Sequence, residues 1–280
     1  MSEKWNMIVD VARCENCHNC VLATKDEHEG NSFPGYSAPM PRHGHEWIKL
    51  TRKVRGRSHM VDTAYLPTMC NHCDDAPCQK VGRECVIKRD DGIVLIDPLK
   101  AKGRKDLVDA CPHGHIWWNE ELELPQNWTF DAHLIDQGWN EPRASQACPT
   151  GALEVAKITD AQMKKRAEAE ELETLAAEGD GKPRVWYKNL YRFTKAFLGG
   201  SVHQKMNGVV DVVEGATVTL TQNGNKLSEV TTDMFGDFKF DGLVADGTTY
   251  EIQIQHEGKQ AKTDANLTDS LVLDPIQLSS

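Results

Sequence analysis

CENCHNC, residues Cys14–Cys20, carries three thiols on one short loop, each separated from the next by two residues. A loop of this kind can turn three sulfurs toward one centre, leaving a fourth position to be filled from elsewhere in the chain. A second group stands at Cys70–Cys78, CNHCDDAPC, again with three cysteines. Further on, two cysteines are each followed by proline, Cys111-Pro112 and Cys148-Pro149. Three plus one, twice, uses eight of the nine cysteines and leaves Cys85 over. All nine lie within the first 148 residues. Metal ligands cluster in this way, whereas disulfides spread across whatever they staple.

In bacterial two-cluster ferredoxins a tight three-cysteine loop binds three irons of a cubane, and a distant Cys-Pro cysteine binds the fourth. Zinc fits poorly, because its four ligands commonly come as two Cys-x-x-Cys arms and the paired Cys-Pro units would have no role. His18 and His72 lie between cysteines, but the sulfur count already suffices, so they read as polar neighbours that tune hydrogen bonds to sulfur. Cys85 reads as a small buried residue without redox chemistry.

Outward from these groups, Met7–Val11 is predicted as a short strand, Gly30–Arg57 as an insertion with one strand at Glu46–Arg52, and Gly92–Asp97 (GIVLID) as another strand. Thr159 can cap a helix running through MKKRAEAEELETLAAE to Gly179, charged on nearly every side and therefore a surface element. Lys182–Phe197 (KPRVWYKNLYRFTKAF) is aromatic and basic without a period, which suits packing along a domain or a partner. From about Ser201 the texture changes. Short apolar segments at Val209-Val210, Ala216–Leu220, Leu227–Thr231, Phe238–Phe240, Tyr250–Ile254 and Leu271–Leu273 alternate with Gly, Asn and Asp turns. The expected fold class is α+β: a bacterial two-cluster ferredoxin-like domain with insertions over 1–158, a helical and aromatic linker over 159–200, and an all-β immunoglobulin-like sandwich over 201–280.

Forty-two acidic against 32 basic residues give a formal charge of −10, which leaves nucleic-acid binding without an electrostatic footing. No apolar run reaches the ~18 residues a membrane helix needs, and Met1–Val11 lacks the features of an export signal. The expectation is a cytoplasmic chain with neither nucleic-acid nor membrane partners.

CNHCDDAPC (Cys70–Cys78), DDGIVLIDP (Asp90–Pro98), DACPHG (Asp109–Gly114) and QACPTGAL (Gln146–Leu153) stand in the order found in the iron–sulfur subunits of molybdopterin oxidoreductases, and over Met7–Val155 the chain resembles that family. Such subunits usually carry four cysteine groups, each giving three ligands to one cluster and its last cysteine to the cluster of a pseudo-symmetric group. The resemblance implies one [4Fe-4S] cluster on Cys14, Cys17, Cys20 and Cys148, and another on Cys70, Cys73, Cys78 and Cys111. It also implies two losses. Where one further cluster would have its ligands, this chain has Ala101, Arg104 and Leu107, with the reciprocal position near Gly82. Where the other would have them it has Ala144, Trp128 and Asp131, with Thr24 as the reciprocal position. Asp131 alone, with no cysteine beside it, is not expected to bind iron.

A narrower resemblance covers nearly the whole chain. The insertion GNSFPGYSAPMPRHGHEW (Gly30–Trp47), the segment PRVWYKNLYRF (Pro183–Phe193) and the β-rich C-terminus look like the small subunits of the pyrogallol transhydroxylase and resorcinol hydroxylase type. EGATVTL (Glu214–Leu220) and TTDMFGDFKFDGL (Thr231–Leu243) resemble the carboxypeptidase regulatory-like domain. The resemblance implies a non-catalytic electron-transfer subunit, in a heterodimer or larger complex with a large catalytic subunit holding molybdenum or tungsten on molybdopterin guanine dinucleotide, that hydroxylates or transhydroxylates phenols. Two alternatives from other classes are a stand-alone ferredoxin-like carrier and a structural subunit whose clusters only hold the fold. No acid–base or nucleophile constellation can be assembled from this chain.

Overall fold

KWNMIVD, the strand β1 (Lys4–Asp10), is buried along nearly its whole length and has another strand paired with each of its edges. This computed structural model describes residues 2–175, 181–206 and 208–278. Those residues group into two units, Met1–Thr51 with Tyr65–Leu190, and Arg52–Ala64 with Tyr191–Ser280.

In the first unit β1 is followed by α1 (Asn19–His28), the hairpin β2 (Ile48–Arg57) and β3 (Met60–Met69), α2 (Pro77–Val81), and the hairpin β4 (Val86–Lys88) and β5 (Val94–Ile96). Then come α3 (Asp106–Asp109), the hairpin β6 (Trp117–Asn119) and β7 (Leu124–Gln126), α4 (Ala132–Ile135), α5 (Arg143–Gln146), β8 (Leu153–Ile158), α6 (Asp160–Glu170) and β9 (Val185–Lys188). The central sheet has the order β8-β1-β9, with β8 antiparallel and β9 parallel to β1. Val9 faces Leu153 across the antiparallel pair. The chain leaving β1 toward Cys14 and the chain arriving at β8 from Cys148 are therefore brought to one end of the sheet.

β9 corrects the expected linker: Val185–Lys188 is a strand of this sheet, and Tyr187 is 1% exposed. α6 starts as expected, with a reciprocal capping box between Thr159 and Gln162, and buries only Met163. It ends at Glu170, where Glu171 turns left-handed; the expected end at Gly179 lies outside the described residues. The predicted strand at Glu46–Arg52 is the first half of a longer hairpin. Its second strand, MVDTAYLPTM, is obscured in the sequence by Pro67 and by weak alternation.

The second unit is all β apart from the short helix α7 (Tyr191–Thr194). Its strands are β10 (Ala196–Met206), β11 (Val209–Val212), β12 (Thr217–Gln222), β13 (Asn225–Thr231), β14 (Asp237–Leu243), β15 (Thr248–His256), β16 (Lys259–Leu267), β17 (Leu271–Val272) and β18 (Ile276–Leu278). β10 is flanked by β11 and β14 and also pairs β17 and β18; the other sheet has the order β13-β12-β15-β16. Alternate residues from both sheets, among them Leu198, Val202, Val218, Leu220, Phe240, Ile252 and Ile254, share one apolar core. The strands begin at Ala196, five residues before the expected change of texture.

The hairpin tip 52–64 belongs to this unit. Its Arg55 side chain is fully buried and donates from Nη1 and Nη2 to Asp241 at 2.8 and 3.0 Å, and from Nη2 also to Asp62. Gly56 follows with φ +78°, and a Cβ there would strike the Met60 carbonyl oxygen and the Phe197 ring. Only glycine fits that turn.

Candidate metal centres

Positive φ values at three non-glycine residues shape the cysteine loops: Asn16 (58°) and His18 (61°) in the first, His72 (45°) in the second. Left-handed turns of this kind point backbone N–H groups inward. The Asn16 N–H favours thiolate on Cys14, Val21 does so for Cys20, His72 for Cys70 and Gln79 for Cys78.

Cys70, Cys73, Cys78 and Cys111 ring one cavity, walled further by Ile96, Pro112 and Ile116. The same sulfurs feel one another: burial raises the Cys70 and Cys78 thiols to about 11 and about 12, and the neighbouring thiolates add to it. Cys73 is pushed up for the same reasons. His115 donates its backbone N–H to Cys111 Sγ at 3.4 Å, and the Asn127 side chain donates to Cys70 Sγ at 3.3 Å. Lys88, held by the carbonyls of His72 and Gly92 at 2.8 and 2.7 Å, places a cation nearby that favours thiolate on Cys70 and Cys73.

Cys14, Cys17, Cys20 and Cys148 form the second gathering. Burial raises Cys14, with Cys148 and Cys17 adding to it, and raises Cys20 to about 12, with Cys14, Cys148 and Cys17 adding to it. Cys148 is the exception. Burial works against its thiolate, but the N–H groups of Leu153, Ala152 and Thr150 and the Thr150 hydroxyl outweigh it, so its pKa falls below the usual thiol value. This gathering is the more open of the two: Cys17 is exposed, whereas three of the cavity's four thiols lie more deeply in the protein.

Neighbouring thiols that raise one another's pKa need a compensating cation to become thiolates together. Zinc would require four donor atoms within ~2.3 Å of one point. Among the described residues no three His, Cys, Asp or Glu side chains come together closely enough for a single ion. Cys70, Cys73, Cys78 and Cys111 line one cavity, and Cys70, Cys111 and Cys148 are met by N–H donors, a setting that fits a cubane with sulfide of its own. His72 is no ligand here: its Nδ1 accepts the Val94 N–H at 3.0 Å. Cys85 is fully buried in the apolar cluster of Val86, Leu107 and Ala101, and no disulfide is formed.

The positions at which the resemblance leaves lost ligands are also drawn together. A Cβ on Gly82 would lie 2.8 Å from Leu107, which packs with Ala101 in the same core as Cys85. Arg104 alone points outward, paired with Asp106 at 2.7 Å. The other set is filled by polar groups that sequence reasoning missed. Asp131, fully buried, takes the His28 ring at 2.8 Å on one oxygen and the Arg143 N–H at 2.8 Å on the other. His133 and Arg143 both bind Glu27, at 2.8 and 2.6 Å. Thr24 and Ala144 are buried beside this network, and Trp128 packs on Phe130 at 5.0 Å.

The 4Fe-4S dicluster domain family matches residues 61–158. The chain is 42% identical to the pyrogallol hydroxytransferase small subunit of Pelobacter acidigallici, over 97% of this chain and 96% of that one. This chain belongs to the family of iron–sulfur subunits of molybdopterin oxidoreductases. The iron–sulfur subunit ArrB of the arsenate respiratory reductase of Shewanella sp. is 31% identical over 50% of this chain and 55% of its own length. A tetrathionate reductase subunit of Salmonella typhimurium is 27% identical over 67% of this chain and 73% of its own length. This iron–sulfur subunit thus has an N-terminal ferredoxin-like 4Fe-4S domain and an all-β C-terminal region. It is a non-catalytic, electron-transferring component of a molybdopterin enzyme. Among the described residues no helix is long and apolar enough to cross a membrane.

Proposed function

We propose that this chain carries two [4Fe-4S] clusters, on Cys14, Cys17, Cys20 and Cys148 and on Cys70, Cys73, Cys78 and Cys111, for a large partner subunit that hydroxylates phenols or moves hydroxyl groups between them. The observation that carries the reading is the convergence of two four-thiol sets, on a chain 42% identical along nearly its whole length to a pyrogallol hydroxytransferase small subunit. When bound, such clusters store and pass single electrons. The chain's own contribution is to hold thiolates and aim N–H donors at sulfur. Molybdenum or tungsten on molybdopterin guanine dinucleotide belongs to the partner, and the hydroxyl chemistry with it. The sharing of strands between two sheets around one core supports an immunoglobulin-like, carboxypeptidase regulatory-like reading of the C-terminal region. Reducing conditions in the cytoplasm would keep nine cysteines available for iron, and we place the complex there.

Anaerobic purification of the tagged chain tests this. The expected result is about eight irons and eight acid-labile sulfides per chain, together with a molybdenum- or tungsten-containing protein several times its mass. About twelve irons would mean a third cluster. A brown, freely reducible chain that emerges alone would make it a stand-alone carrier instead.

A further inference from the structure

One side chain at the Cys70 cavity comes from a loop with no cysteine of its own. Asn127 directly follows β7, is 3% exposed, and sets its Nδ2 at 2.9 Å from the Trp128 carbonyl oxygen, 3.1 Å from the Val94 carbonyl oxygen and 3.3 Å from Cys70 Sγ. The amide can stand only one way round. Turned over, its oxygen would face two carbonyl oxygens and a sulfur with no donor among them. The two N–H groups of this amide are shared among three acceptors, and the two backbone carbonyls hold Nδ2 against Cys70 with its hydrogens on that side. The same short stretch contains Trp128 and Asp131, two of the positions that the family resemblance leaves without ligands. The loop has become part of the wall of a neighbouring centre. Among the described residues the Cys14 set is met differently: Cys148 Sγ takes backbone N–H groups and the hydroxyl of Thr150, two positions on in its own loop, at 3.7 Å.

We propose that Asn127 is a positioning residue that raises the reduction potential of the cluster on Cys70, Cys73, Cys78 and Cys111; the inference rests on the cluster assignment above. Reduction adds one electron, and part of the added charge spreads onto the cysteine sulfurs. A donor fixed beside one sulfur stabilises the reduced form more than the oxidised one. Only the difference in hydrogen-bond strength between the two redox states moves the potential.

The test is an anaerobic titration of the full-length chain with dithionite as electron donor, followed by electron paramagnetic resonance, with iron measured in parallel. Cys111→Ala identifies which of the two signals belongs to the Cys70 set. Asn127→Leu removes the donor at similar size, and Asn127→Asp keeps the shape while replacing the donor by an acceptor. In either variant the identified signal is expected to move to lower potential by about a tenfold change in its reduced-to-oxidised ratio, 59 mV for one electron, with the other signal unmoved. An unmoved potential in both variants overturns the role of Asn127 and leaves the cluster assignment standing. A Cys111→Ala chain that keeps both signals overturns the assignment, and the proposal falls with it. Loss of half the iron from both Asn127 variants would show a wall that merely closes the cavity, and tuning would be refuted.

Discussion

Arg55→Met is expected to destabilise the β-rich unit by about 3 kcal/mol. The guanidinium is fully buried, while its partners Asp62 and Asp241 have side chains 20% and 25% exposed. Removing one member of a buried ion pair costs roughly 3–5 kcal/mol, mostly through the charge left behind. Here the low end applies, because the stranded carboxylates reach solvent and keep other cations. Arg192 lies 2.8 Å from Asp62, and Lys239 lies 3.5 Å from Asp62 and 3.3 Å from Asp241. Methionine conserves the apolar stem against Phe197, so only the charge over that ring is lost, on the order of 0.5–1 kcal/mol. Equilibrium denaturation read by far-ultraviolet circular dichroism measures the change, and visible iron–sulfur absorbance follows the cysteine-bearing unit separately. A shift below about 1 kcal/mol would mean that the hairpin tip is not latched by this ion pair, and the account of Arg55 would be wrong.

Acid should release the same latch. Burial would raise the Asp62 pKa, but the Arg55 hydrogen bond and the charges of Arg192, Lys239 and Arg55 hold it down, from 3.8 to about 2. A depressed carboxylate stabilises fully above its unfolded pKa and loses that contribution as pH falls through the folded one, so about 2 kcal/mol should disappear between roughly pH 4 and pH 2. The step should be shallower in Arg55→Met, and an identical acid profile in the two proteins would contradict it. Cys85→Ser is expected to leave iron content unchanged while costing roughly 1–3 kcal/mol for a hydroxyl in an apolar core; iron loss would make Cys85 a ligand. A chain ending at Leu190 keeps every cysteine but strips residues 52–64 of the β-unit they belong to. Its yield of coloured, soluble protein is expected to rise when 52–64 is replaced by a short turn, and equal yields would refute the dependence.

The two three-cysteine groups and the two Cys-Pro pairs were legible as spacing along the chain, and the fold draws Cys70, Cys73, Cys78 and Cys111 round one cavity. The capping box at Thr159 and the alternating strands around Val218 and Ile252 were legible because their periods are local. Other features carried no local signal. β10 reads AFLGGSVHQKM, buried on both faces in its first half and broken by two glycines, so it shows no alternation. β16 (KQAKTDANL) is mostly polar and buries only Ala265 and Leu267. The aromatic stretch expected to pack along a domain or a partner is divided: Tyr187 and Phe197 are buried within the chain, Trp186 and Phe193 are half-buried, and Tyr191 is exposed. The His28–Asp131 pair joins residues 103 positions apart. Asn127 was invisible for a related reason, since an asparagine beside a tryptophan announces nothing until Cys70 is folded against it.

The division of the chain into two units has a practical side. All seven tryptophans, Trp5, Trp47, Trp117, Trp118, Trp128, Trp139 and Trp186, fall in the unit that also holds every cysteine. Iron–sulfur chromophores absorb in the near-ultraviolet and blue, where indole emits, so energy passes from excited tryptophan to a nearby cluster instead of leaving as light. The holoprotein is expected to be dim and to brighten as iron is lost, while the tryptophan-free β-unit contributes nothing to the signal. A fluorimeter can therefore time the loss of iron from this protein without chelators, dyes or labels.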